Sequence, residues 1–359
     1  MRIFYAAADS PNYWGLPQSR LWHVNLYLPL VNLGHELVRF EYDFGPHNGH
    51  LDPSNPVQRQ FMLKHRQVLG EALLRQVRIA HRQKPIDLLF TYFYSAYVDP
   101  EVIGEIRRMG IVAVNWYCNA SFQFELVKEI APAYDYCLVP EKFRLDDYRT
   151  AGANPIYCQE AANPNWYRPY ELPVEFDVTF VGQRYGNRPG YVKHLIARGI
   201  PVRVWGPRWD DPPKCPTEGD AELAACAGGV LGDEELIRMY SRSRISLGFS
   251  AVAQKPKMGL PPIKQVRLRD FEAPMSGAFY LVEYFEELTE FFEPDREIVM
   301  FDSPEELADK CRYYLDNPSR REVIRQAGMK RARNEHTWQK RFERAFGQMG
   351  LNMAGRKIA

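Results

Sequence analysis

The chain has 359 residues, 45% apolar and 25% charged, with 46 Lys and Arg against 45 Asp and Glu for a formal net charge of +1. That length is about 2.4 times a ~150-residue domain, so two sizeable domains are expected, and the balance excludes disorder or a fibrous repeat as the main state. Chains that grip nucleic acid through its phosphates carry a basic excess, which is missing here, so no nucleic-acid partner is expected. The cysteines at 118, 137, 158, 215, 226 and 311 form no CxxC and none lies at ligand spacing from a histidine, so neither a zinc site nor a disulfide framework is predicted. MRIFYAAADS opens as a strand rather than a signal peptide, and no run reaches the ~18 apolar residues of a membrane helix. A cytoplasmic protein without a transmembrane segment is the expectation.

Short apolar runs alternate with longer amphipathic ones, the pattern of parallel sheets covered by helices. Strands are predicted at Arg2–Ala6, Glu36–Tyr42, Ile86–Tyr92, Ile111–Trp116, Tyr134–Val139 and Pro155–Cys158, with helices at 19–33, 56–82, 100–109, 121–131 and 141–151. Asp99-Pro100 reads as a capped helix start. Prolines 164, 169 and 173 mark a connection over 161–175. Beyond it strands are predicted at Phe176–Val181, Val202–Trp205, Ile245–Phe249, Ala278–Val282 and Glu297–Phe301, and Ser303-Pro304-Glu305-Glu306 reads as a capping box. Trp338, Phe342 and Phe346 recur every fourth residue, so the terminal helix should dock one apolar stripe on a domain surface. The fold class predicted is α/β, two Rossmann-like doubly wound domains joined by one linker, with the carboxyl ends of both sheets facing a ligand cleft.

KQVRLRDFEAPMSGAFYLVEY, 264–284, carries the densest chemistry. Lys264, Arg269 and Glu272 have the spacing to line one side of a helix before Ser276-Gly277 turns into a strand. Basic side chains and helix amides suit a diphosphate, and a carboxylate suits a ribose diol; a surface salt-bridge ladder fits the same spacing. GQRYGNRPG, 182–190, does not match GxGxxG but sits between a strand and a helix, with Arg188 at the helix start. The loop ADSPNYWGLPQSR offers Asp9, Asn12 and Trp14 to a sugar-like acceptor, or forms a surface turn. Aromatics at 91–97 and 115–121 fit packing, with Asn119 the best ligand contact among them. The eight histidines form no paired set, and no D-x-D triplet is present to hold a divalent cation, so metal ligands: none.

RDFEAPMSGAFYL, PDREIVMFDSPEELADKCRYYLDNPSRREVIRQAG, HTWQKRFERAF and VTFVGQRYGNRPGYVKHL resemble the C-terminal half of CgeB-like (spore-maturation-protein-like) glycosyltransferases, which are similar to glycosyltransferase family 4 and have the GT-B fold. NLYLPLVNLGHELVRFEYD and YDYCLVPEKFRLDDYRTAGANPIYCQEAANP resemble the N-terminal half. The resemblance implies an acceptor-side domain over 1–165, a nucleotide-sugar domain over 176–335, and a C-terminal helix in 336–359 that crosses back to the first domain. Glu272 matches the second glutamate of the family's E-x7-E pattern, implying a ribose contact; Lys264 stands where the first glutamate would fall and is taken as a phosphate contact. Gly182, Tyr185, Arg188, Lys264, Arg269 and Glu272 are thus the candidate nucleotide-binding residues. Arg269, Glu272 and Asp9 are the candidate catalytic ones, Asp9 as the base of an inverting course. Asp9, Asn12, Trp14 and Asn119 are assigned to the acceptor. The function expected is sugar transfer from a nucleotide diphosphate donor, retaining and metal-independent, with UDP as the first choice, no cofactor, and a polysaccharide, protein or small molecule as acceptor. A nucleotide-sugar epimerase of the same fold and a non-catalytic carbohydrate-binding protein are the alternatives.

Overall fold

The computed structural model describes residues 1–9, 19–47, 52, 54–211, 219–252 and 262–351. The chain divides into two compact units, one formed by Met1–Glu160 with Trp338–Ala359 and the other by Ala161–Thr337. Residues 161–175 therefore go with the second unit. The first unit holds strands β1 (Arg2–Ala6), β2 (Glu36–Arg39), β3 (Leu88–Thr91), β4 (Val112–Trp116), β5 (Tyr136–Val139) and β6 (Pro155–Tyr157). Its helices are α1 (Leu28–Asn32), α2 (Pro56–Gln83), α3 (Pro100–Arg108), α4 (Ala120–Gln123) and α5 (Leu145–Thr150). The strands pair in the order β2-β1-β3-β4-β5-β6, all parallel.

The second unit holds β7 (Phe176–Val181), β8 (Val202–Trp205), β9 (Ser243–Gly248), β10 (Tyr280–Glu283) and β11 (Val299–Phe301). Its helices are α6 (Arg188–Ala197), α7 (Asp220–Ala225), α8 (Asp233–Ser241), α9 (Leu268–Met275), α10 (Pro304–Asp316) and α11 (Pro318–Glu335). Here the order is β11-β10-β9-β7-β8, again all parallel. Strands covered on both faces read as short continuous apolar runs, which is why all eleven expected strands are present in α/β sheets. α12 (Trp338–Gln348) returns to the first unit and buries Trp338, Phe342 and Phe346 there. Trp338 meets Trp116 edge-on at 5.2 Å, and Phe342 meets Phe90 at 5.7 Å.

Three local expectations are corrected. The helix expected over 121–131 breaks into α4 and short 3-10 turns at Phe124–Leu126 and Ala131–Ala133, because the Leu126 carbonyl is taken by the Ser95 N–H at 2.7 Å and Pro132 supplies no donor. β2 stops at Arg39 rather than Tyr42: Phe40 still donates its N–H to the Tyr5 carbonyl at 2.9 Å, but β1 ends at Ala6 and offers the residues after Phe40 no further ladder. Asp99 precedes α3 but does not cap it; its carboxylate pairs with Arg66 at 3.0 Å.

Replacing Trp338 by alanine should cost about 3–5 kcal/mol, the range for emptying a large buried aromatic site. Urea unfolding followed by far-UV circular dichroism should show the midpoint fall.

Candidate functional site

In open parallel sheets ligands bind beyond the carboxyl ends of the strands where the order reverses. In the second unit that point lies between β7 and β9, which are neighbours with β8 on one side and β10 on the other. The turn Gly182–Asn187 leaves β7 there and feeds α6, with Gly186 in the left-handed region at φ +60°. The turn is held tightly against the end of β8: a Cβ on Gly206, itself at φ +133°, would fall 2.4 Å from the Gly182 carbonyl oxygen. Trp209 fixes the same carbonyl by an indole N–H donated at 2.6 Å. Gly206 is thus needed for a close approach of two backbones, and Gly186 for its left-handed φ.

This turn buries Arg188, the first residue of α6, at 5% exposure. Its guanidinium lies 3.8 Å from the centre of the Tyr185 ring and 5.2 Å from that of Phe180. Nη1 donates to the Gln183 carbonyl at 2.8 Å and Nη2 to the Tyr185 hydroxyl at 2.7 Å, while Nε is buried without a hydrogen-bond partner. Among the described residues no carboxylate forms an ion pair with it. Burial, joined by repulsion from Arg267 and Arg269, pulls its pKa down to about 10, so the group stays charged at neutral pH.

α9 supplies the neighbouring charges. Arg269 donates from Nη1 to Glu272 at 2.9 Å and to the Tyr240 hydroxyl at 3.2 Å; Glu272 is buried and the Arg269 side chain is 29% exposed. Arg267 precedes the helix, and its N–H donates to Asp270 at 2.8 Å. Asp270 also accepts the Tyr280 hydroxyl at 2.7 Å; burial pushes its pKa up to about 6 against the pull of that bond.

Arg188, Arg269 and Glu272 are therefore brought into one neighbourhood, and Lys264 is not on their helix. It lies in an antiparallel bridge with Ala251, and α9 begins only at Leu268, where Asp270 takes up the Arg267 N–H. Lys264 Nζ donates to the Tyr284 carbonyl at 2.8 Å and stands 3.4 Å from Glu283 and 3.7 Å from Asp302. Glu283, at the end of β10, is a hub that sequence reasoning missed. Its buried carboxylate accepts the N–H groups of Ser250 and Ala251 at 3.1 and 3.2 Å and the Asn187 amide at 3.1 Å. The signal available was an acidic residue closing the apolar run YLVE.

In the first unit Asp9 follows β1 and pairs with Arg39, from the end of β2, at 2.6 Å; His23 Nδ1 is 3.5 Å away. His23 starts a single π-helical turn, His23–Tyr27, and stacks on Tyr27. Burial lowers the His23 pKa even with Asp9 opposing, so its ring is neutral at neutral pH. Asn119 is half-buried before α4, with no side-chain cap bond. Asn12 and Trp14 lie outside the described residues. Tyr92, Tyr97, Trp116 and Tyr117 are buried, as packing requires. No group of three or more His, Cys, Asp or Glu able to hold a metal occurs among the described residues, and none of the described helices is long and apolar enough to cross a membrane.

Residues 188–347 match a family described as glycosyl transferase-like. No curated protein matches the sequence at a significant level. Solved structures similar along nearly the whole chain include sucrose-phosphate synthase from Thermosynechococcus elongatus, at TM-score 0.62 and 12% identity over 97% of this chain and 99% of that one. HepE from Anabaena, solved with UDP and glucose, is similar at TM-score 0.59 and 11% identity over 98% and 99%. AviGT4, a glycosyltransferase involved in avilamycin A biosynthesis, is similar at TM-score 0.59 and 16% identity over 99% and 98%. The chain has the GT-B fold, and its residues 188–347 are glycosyl transferase-like. The match begins at Arg188 and takes in all of α9, so the basic neighbourhood described above lies inside the family's segment.

Asp270 makes stability depend on pH in a definite sense. Between the ordinary value of 3.8 and about 6 the folded protein holds a proton that the unfolded chain has released, so raising the pH through this window removes stability. Asp270→Asn carries no such penalty. Its stability relative to the unsubstituted protein, from denaturant titrations at stepped pH, should rise from pH 4 to pH 6 and then level off.

Proposed function

We propose that the second unit binds a nucleotide diphosphate sugar and that Arg188 takes its diphosphate. The observation that carries this reading is a buried guanidinium with no carboxylate pairing it among the described residues. Of the three neighbouring arginines, Arg269 is offset by Glu272 and Arg267 lies against Asp270, which leaves the charge of Arg188 for an incoming anion. Its Nε and the Gly190 N–H in the first turn of α6, which follows Pro189, are donors that an anionic phosphate oxygen accepts. HepE, solved with UDP and glucose, supports UDP as the first nucleotide to try.

In this reading Gly182, Tyr185 and Arg188 form the phosphate turn, Arg269 stabilises charge growing on the leaving diphosphate, and Glu272 accepts the ribose hydroxyls. Lys264 reaches the phosphates only by leaving Glu283 and the Tyr284 carbonyl. The bond from the anomeric carbon to the β-phosphate oxygen breaks as the acceptor oxygen forms the new one. The departing phosphate takes the acceptor proton on the same face, which retains configuration. No metal ion is needed when arginine and helix amides offset the leaving charge. The acceptor, a polysaccharide, protein or small molecule, meets Asp9, Asn12, Trp14 and Asn119 of the first unit, and no further cofactor takes part.

Arg188→Met keeps an apolar stem between the rings and removes the charge. Losing charge-assisted hydrogen bonds worth about 1.5–3 kcal/mol should weaken UDP about 10- to 150-fold in calorimetry. An unchanged dissociation constant in the folded variant would return Arg188 to a structural role. Glu272→Ala should weaken UDP by about 1.5–3 kcal/mol on the same scale. Added EDTA should leave the titration of the unsubstituted protein unchanged; loss of binding in EDTA would overturn metal independence.

A further inference from the structure

Asp270 has no part in the scheme above, yet it is the carboxylate most deeply set in that neighbourhood, at 1% exposure. Three elements are built around it. Arg267, the residue just before its own helix α9, offers its N–H to one oxygen, and β10 offers the Tyr280 hydroxyl to the other. β9 makes room for that hydroxyl: a Cβ on Gly248 would fall 2.1 Å from the Tyr280 oxygen. Gly248 and Val282 are paired in the sheet, so the space opens beside the strand end where β9 leads to Ser250 and Ala251. The result is a pin through the start of α9. It fixes the turn carrying Arg267 and Arg269 against the carboxyl end of the sheet, beside Arg188.

We infer that Asp270 and Tyr280 are positioning residues for the donor: the ionised Asp270, held by the Tyr280 hydroxyl, sets the first turn of α9 so that Arg267 and Arg269 face the bound diphosphate. This rests on the nucleotide reading of the second unit. A purely structural pin has a simpler form, because an apolar pair of similar shape in a fully buried place avoids desolvating a carboxylate. Burial works against the ionised form, and the Tyr280 hydroxyl, the Arg267 N–H and the charges of Arg267 and Arg269 oppose it. The other titratable groups facing this region are Tyr240 of α8, Arg188 of α6 and Glu272 of α9. Protonation removes the negative charge that Arg267 and Arg269 face, and the oxygen that gains the proton loses acceptor capacity. The order of the helix start and the placing of both guanidinium groups then decline together. Removing the Tyr280 hydroxyl takes away a bond that favours the ionised form, so the midpoint of that decline moves to higher pH.

The experiment uses the full chain. UDP affinity is measured by calorimetry from pH 5 to 8 for the unsubstituted protein, Tyr280→Phe and Asp270→Asn, with hydrogen exchange over α9 in the absence of nucleotide. Comparing variants under one ligand cancels the titration of UDP itself. Tyr280→Phe should exchange faster at Leu268–Phe271 and bind UDP about fivefold more weakly at neutral pH, the worth of one hydrogen bond. Its affinity should fall at a higher pH than that of the unsubstituted protein. Asp270→Asn should bind weakly at every pH, without the step the carboxyl group introduces, and it serves as the readout should Tyr280→Phe fail to fold. If the unsubstituted protein binds UDP and the substitutions leave both affinity and pH profile in place, this inference is overturned while the nucleotide reading stands, even where exchange rises. No UDP binding by the unsubstituted protein overturns the nucleotide reading, and this inference with it.

Discussion

A guanidinium held among aromatic rings, with no carboxylate among the described residues to offset it, is expensive to keep in a folded protein, and the second unit is arranged around that cost. Arg188 gives up bulk water for two hydrogen bonds and the faces of Tyr185 and Phe180, which recover part of the hydration lost. The turn that supplies the Gln183 carbonyl exists because Gly206 lets two strand ends touch backbone to backbone, while Gly182 leaves room for the Phe180 ring. Trp209, Arg184 and Pro207 then close the turn from outside. A charge set this way is already dehydrated and oriented before any ligand arrives, so an anion that reaches it meets fixed donors rather than mobile side chains.

The scaffold was legible because a parallel sheet writes its strands as apolar runs and its crossovers as amphipathic ones. Phe176–Val181 and Val202–Trp205 appear with the expected bounds, and the terminal helix with its Trp338, Phe342 and Phe346 stripe lies where its pattern calls for burial. What the sequence obscured was where regular structure starts and stops. Lys264 to Arg269 has helical spacing, but Lys264 is drawn into a bridge with Ala251 and the helix waits for the bond between Asp270 and the Arg267 N–H. Spacing measures which side chains share a face only if the backbone is already helical, and that was decided by partners far away in the chain.

The same limit explains the site residues that went unread. Tyr280 and Glu283 sit in FYLVEY, where the apolar run signals a strand and the acidic residue closing it marks Glu283 without revealing its partners, while nothing local shows where the Tyr280 hydroxyl points. Their partners, Asp270, Ser250, Ala251 and Asn187, come from three other segments. Arg188 was readable because its signal is local: a strand, a glycine turn and a helix beginning on a basic residue followed by proline.

The carboxylates of this neighbourhood also bear on the course of the reaction. A double displacement needs one of them beside the anomeric carbon with an oxygen ready to bond. Glu283 gives one oxygen to two backbone N–H groups and the other to Asn187 and Lys264. Asp270 is enclosed and holds Tyr280 and the Arg267 N–H, while Glu272 is buried against Arg269. Each is occupied in fixing a positive or hydrogen-bonding group, so to act as a nucleophile it must first abandon the charge it holds in place. That trade favours the front-face route proposed above, in which the second unit supplies donors to the leaving phosphate and the phosphate itself takes the acceptor proton.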